Sequence, residues 1–209
     1  MNKEKIPIKI GIATLDPWNR GGILAHMKIA YEFAMKIDQE SRLLYSKTAS
    51  LRGEKERHSF FKLFFGERRL AHEEKFEGMR GVAIERILPE FEFFNYILNL
   101  RLWKKACASS NRFIAVGGDA QCALPFALLR KDYLLWVATT AWEDRVVRIF
   151  HGNFFRQCRD LISLPLLLLL EWIAIKREKK ILTISEYTKT KIAGRFKING
   201  NEIEVVPVP

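Results

Sequence analysis

Short, nearly unbroken apolar runs alternate along this chain with segments of helical periodicity, and that alternation leaves few architectures open to it. The strand candidates are residues 8–14, 42–47, 82–88, 113–116, 134–138 and 180–184. After the first run, Ile23, Met27, Ala30, Tyr31 and Ala34 fall at i, i+4, i+7, i+8 and i+11, one face of a helix. Strands covered on both faces read as continuous apolar runs rather than alternating ones. The expected fold is therefore α/β, a doubly wound, mostly parallel, Rossmann-like sheet with helices on both faces. Ligands of such sheets bind beyond the carboxyl ends of the strands, so the loops after Thr14, Val116, Ala138 and Ile184 are the places to look.

At 209 residues and 48% hydrophobic, the chain can bury one ordinary core, and residues 1–209 are read as a single domain. Its three cysteines, Cys107, Cys122 and Cys158, are far apart and lack C-x-x-C spacing, which points away from a disulfide framework or a zinc site. None of the four histidines has metal-ligand spacing, so no metal is expected. The first residues run into a strand without the apolar stretch of a secretory signal, and a cytoplasmic location is expected.

The net charge of +11 is concentrated rather than spread. Residues 95–115 carry four basic side chains and no acid, and residues 176–197 carry eight basic and two acidic, whereas residues 52–80 are close to balanced. No RNP-like aromatic motif or zinc knuckle accompanies these helices, so nucleic acid is disfavoured as a partner. An anionic membrane surface or a phosphorylated ligand suits the same charges better.

Several loop residues are candidate ligand contacts. Gly21 and Gly22 open the first helix, where free N–H groups and the helix dipole can meet a phosphate or sugar oxygen, and Arg20 adds a charge. The same glycines also suit a tight strand-to-helix turn. They do not make G-x-G-x-x-G, which argues against a dinucleotide cofactor. Gly118 and Asp119 follow the fourth apolar run, where Asp119 either accepts from a sugar hydroxyl or caps the next helix. Ser185 and Glu186 begin a helix at a strand's end, where Ser185 has the same two readings, cap or ligand contact.

The stretch from Lys9-Ile10-Gly11-Ile12 through Gly21-Gly22-Ile23 to Ala30 resembles the opening strand, glycine-rich loop and first helix of family 4 glycosyltransferases with the GT-B fold. The segment Ile181-Leu182-Thr183-Ile184-Ser185-Glu186-Tyr187-Thr188-Lys189 resembles the strand-Ser-Glu-helix element that ends their acceptor domain. Ile203-Glu204-Val205-Val206-Pro207 resembles the strand leading into the hinge. The resemblance implies transfer of a sugar from a nucleotide-sugar donor, usually with retention, to a glycan or lipid-linked acceptor held by this half. The donor-binding C-terminal domain would be missing or separately encoded, and the chain inactive alone, with its catalytic residues unknown. The paired glutamates of that second domain have the spacing of Glu32 with Glu40 and of Glu178 with Glu186, but neither pair has its context. Where many relatives carry a histidine, this chain has Thr139-Thr140-Ala141-Trp142-Glu143-Asp144, so Thr140, Trp142 or Asp144 would take that place.

The alternative reading is a non-catalytic Rossmann-like module that binds an anionic lipid, a membrane surface or a partner protein. Phe60, Phe61, Phe64 and Phe65, with Arg68 and Arg69 nearby, either lay an aromatic face into a bilayer or dock a helix on the sheet. Residues 161–175 are apolar except for Ser163 and Glu171, too short to span a bilayer, and are read as a buried crossover helix.

Overall fold

The computed structural model describes residues 8–14, 22–47, 71–85, 96–151, 154–178 and 180–207. In chain order the elements are β1 (Ile10–Thr14), α1 (Gly22–Ile37), β2 (Arg42–Lys47), β3 (Ala71–Phe76), β4 (Met79–Glu85), α2 (Leu100–Ala106) and β5 (Arg112–Gly117). They continue with α3 (Leu124–Leu128), β6 (Tyr133–Val137), α4 (Ala141–His151), α5 (Phe154–Lys176), β7 (Lys180–Thr183), α6 (Glu186–Phe196) and β8 (Ile203–Val205). The eight strands form one sheet in the order β3-β4-β2-β1-β5-β6-β7-β8. All neighbours are parallel except β3, which runs antiparallel to β4 at one edge. This is the mostly parallel, Rossmann-like α/β fold that the alternation of runs and helices predicts.

The central strands are apolar throughout because both their faces are covered. Every residue of β1 is buried. On one face Ile12, Leu43, Tyr45, Ala83 and Val116 meet Met27, Ala30, Tyr31 and Ala34 of α1. On the other, Leu44, Ile84, Ala115, Leu135 and Ile181 meet Trp103 of α2, Phe126 of α3, Leu167 and Leu170 of α5, and Ile192 of α6. Of the face read in α1, Met27, Ala30, Tyr31 and Ala34 are buried and Ile23 is half-buried, and His26 joins them.

Two elements differ from the sequence reading. The third strand is Met79–Glu85, three residues earlier than expected, and it is preceded by β3, which the charged residues 71–76 conceal. Glu77 and Gly78 join the two strands with φ of 47° and 83°, the pair of positive values that a two-residue hairpin turn requires. On β3 the outer residues Ala71, His72, Glu73 and Lys75 are exposed, as suits an edge that must not recruit further strands. Lys47 of β2 closes on the Glu74 carboxylate at 2.6 and 2.7 Å. Burial alone would raise that carboxyl's pKa, but the hydrogen bond and charge of Lys47 outweigh it and the net shift is downward. The Tyr31 hydroxyl accepts from Arg80 N at 3.0 Å, tying the hairpin to α1.

Helix α5 is the second difference. It is the crossover into β7, but it is buried on one side only. Asp160, Ser163, Leu164, Leu167, Leu170, Glu171 and Ala174 face inward, while Leu161, Ile162, Leu166, Leu169 and Trp172 are exposed. Among the described residues, no helix is long and apolar enough to cross a membrane.

Candidate functional site

The order β4-β2-β1-β5-β6-β7 means that the chain winds outward in one direction from β1 and then in the other from β5. Doubly wound sheets bind ligands at such a reversal, beyond the carboxyl ends of the two strands where it occurs, here β1 and β5. Gly22 starts α1 at this point, and a Cβ built on it would meet none of the described residues within 4 Å. A Cβ on Gly118 would lie 3.3 Å from Ile23 Cδ1, so the turn after β5 rests against the first turn of α1. Arg20 and Gly21 lie outside the described residues, as do Phe60, Phe61, Phe64, Phe65, Arg68 and Arg69.

The turn after β5 is fixed by its own contacts. A Cβ on Gly117 would come within 2.6 Å of Cys122 Sγ and 2.8 Å of the Asp119 carbonyl oxygen, so glycine is required by space. Asp119 takes the capping role: Oδ1 accepts from Gln121 N at 3.0 Å and Oδ2 from Gln121 Nε2 at 2.7 Å, starting the tight turn Ala120–Ala123. The Gly118 carbonyl accepts from Ala138 N and Thr139 N at 3.1 and 2.7 Å, which locks this turn to the end of β6.

Next along the same edge, Thr140 and Glu143 form a reciprocal cap on α4. Thr140 Oγ1 donates to Glu143 Oε2 at 2.8 Å, and the same carboxylate oxygen accepts from Thr140 N at 3.4 Å. Arg195 Nη1 of α6 donates to Thr140 Oγ1 at 3.0 Å. Thr140 is fully buried, so its hydroxyl serves this network. Trp142 is 40% exposed, with the Arg195 guanidinium 5.4 Å from its ring centroid. Asp144 sits in the same first turn, its N–H bonded to the Thr140 carbonyl at 3.1 Å.

Beneath this network lies Glu171 of α5, wholly buried, accepting from Ala141 N at 2.7 Å. Burial pushes its pKa up to about 8, and the neighbouring charge of Asp119 adds to the rise. The start of α6 joins from the other side. Ser185 Oγ accepts from Thr188 N at 3.2 Å as the helix cap, and Thr188 Oγ1 donates to the Ala138 carbonyl at 2.8 Å. Glu186 is exposed in the first turn of α6, 3.9 Å from Lys189.

The carboxyl edge therefore gathers Gly22 and Gly118 at the β1/β5 divergence, and Thr140, Trp142, Asp144, Ser185 and Glu186 after β6 and β7. Sequence reasoning missed three members of this region. Glu171 was visible as the one charge in an otherwise apolar stretch, and Arg195 was hidden among the other basic residues of its helix. His26, one turn into α1, is buried against Trp136 with ring centroids 5.3 Å apart, and burial lowers its pKa. Two surface depressions of about 450 and 410 Å³ lie instead toward the amino ends of the strands, around Arg42 and Gly81 and around Ile10, Arg112 and Lys180. Among the described residues, no group of three or more His, Cys, Asp or Glu side chains converges as a metal site. No family model matches the chain, and no curated protein matches its sequence.

Proposed function

We propose that this domain is the acceptor side of a glycosyltransferase, holding a glycan or lipid-linked acceptor while a second Rossmann-like unit presents a nucleotide-sugar donor. The observation that carries the reading is the position of Gly22 at the β1/β5 divergence, where a built Cβ meets none of the described residues within 4 Å and the turn at Gly118 adjoins the first turn of α1. The N–H groups of the first turn of α1 suit a phosphate or hydroxyl oxygen there. After the adjacent strand, the exposed face of Trp142 is the kind of surface on which the apolar side of a sugar ring stacks, with Arg195 beside it to meet a phosphate. Transition-state stabilisation of the leaving nucleotide would come chiefly from the second unit, because the charge develops on the donor phosphate.

The test combines the chain with a donor-binding unit encoded in frame or beside it, a panel of nucleotide sugars, and glycan and lipid-linked acceptors. Sugar transfer is expected, and Gly22→Trp should lower it at least about tenfold by filling the crevice. No positive φ and no close neighbour among the described residues constrain Gly22, so the variant should keep the melting temperature of the parent. Transfer unaffected by a folded Gly22→Trp chain, or absent with every donor, would sink the reading. The second reading, a non-catalytic binding module, is favoured by one specific feature, the exposed apolar side of α5.

A further inference from the structure

Helix α5 is apolar on its outward side as well as its inward one. Its buried side sets Asp160, Ser163 and Glu171 among Leu164, Leu167, Leu170 and Ala174, whereas outward Ile162 is 81% exposed, Leu161 60% and Leu169 53%. Pro165, Leu166 and Trp172 continue the outward arc, which carries no acid from residue 161 to residue 173. The inward polar groups are engaged: Asp160 lies 3.7 Å from Arg145, Ser163 donates to the Asp160 carbonyl at 3.1 Å, and Glu171 accepts from Ala141 N. Just over three turns of outward Leu, Ile and Trp are what remains, and a contiguous apolar surface of this kind marks a place where something other than water belongs.

The charge carried by the same layer of helices identifies the occupant. Helices α2 and α6 pack on the same sheet face as α5, α6 in contact with it and toward β7 and β8, α2 against α3 and toward β4. These helices lie in the two stretches that hold nearly all of the chain's excess positive charge. Arg101, Lys104 and Lys105 on α2 are exposed, as are Lys191 on α6 and Lys176 at the end of α5 itself. An apolar ridge on a helix layer whose exposed cations lie on α2, on α6 and at the ridge's own end complements an anionic bilayer, in which acyl chains lie behind a negatively charged headgroup layer. We infer that the outward side of α5 lies in the interface of an anionic membrane, with α2 and α6 on the headgroups. From residue 161 to residue 173 the ridge is about 18 Å long at 1.5 Å per residue, and only its outer arc is apolar, so α5 lies in the membrane plane. This surface is independent of whether the domain transfers sugar.

The experiment is flotation with vesicles of phosphatidylcholine alone and with about one third phosphatidylglycerol. The chain should bind the anionic vesicles preferentially and lose binding as salt rises. The double variant Ile162→Glu/Leu169→Glu should bind them at least about tenfold more weakly with its circular dichroism and melting temperature unchanged, because both side chains point to solvent. Brominated lipids should quench tryptophan emission in the parent, and that quenching should fall in Trp172→Phe. Undiminished binding by the double variant, loss of binding only when Phe61 and Phe64 are changed, or no binding by the parent would each overturn the inference. So would a parent dimer that the double variant dissolves, since the ridge would then be a contact between copies.

Discussion

Glu171 holds a proton at neutral pH because its carboxyl is fully buried and has Asp119 nearby. Its folded pKa of about 8 lies above the ordinary 4.5, so between those values the folded chain binds more protons than the unfolded one. Stability from this group is full below 4.5, declines above it, and is gone once pH passes about 8. We predict that Glu171→Gln, which keeps an acceptor for Ala141 N, stabilises the fold by about 1–3 kcal/mol at pH 8. Urea titrations at several pH values check this, and the difference should shrink toward nothing near pH 4.5. Single residues were only partly legible in the sequence. Ser185 and Asp119 each carried cap chemistry that the structure realises, since a Ser or Asp at a helix start needs no distant partner. Glu171 could not be understood that way, because its partner Ala141 and its neighbour Asp119 reach it through the fold rather than along the chain.

Among the elements, α1 was readable because a helix against a sheet must repeat its apolar residues at three and four, whatever it packs on. Strand β3 was not, because an edge strand buries almost nothing and its Glu and Lys side chains read as a solvated excursion. What defines that hairpin is backbone, and Gly78 carries it with φ of 83°. Space is not limiting there, as a Cβ would meet none of the described residues within 4 Å. Gly78→Val should therefore cost about 1–2 kcal/mol through backbone strain alone, measured as a shift of the urea midpoint with unchanged slope. Helix α5 shows the opposite limit of sequence reading. Apolarity all round predicts burial all round, yet among the described residues only one side of α5 is covered, and which side depends on the placement of α3, α4 and α6.

At the scale of the whole molecule, the class of fold was legible and the strand order was not. Runs and helices announce a parallel sheet, but nothing local says that β1 lies between β2 and β5. The site was legible only as an edge of the sheet, since the crevice comes from that order. The same order bears on how the chain reaches its native state. Gly11 pairs with Arg42 on one side and with Phe113 on the other, so the central sheet must close long loops before it gains its contacts. Hairpin β3–β4, with Phe76 opposite Met79, closes across two residues and can form within microseconds, yet it sits at the rim. Speed of closure and importance for the rate are then decoupled. Gly78→Val should hasten unfolding and leave refolding nearly unchanged in stopped-flow chevrons. If refolding slows by the full loss of stability, the small charged hairpin is the seed on which the buried sheet assembles. If unfolding alone quickens, the rim is the last part to arrive and the first to leave.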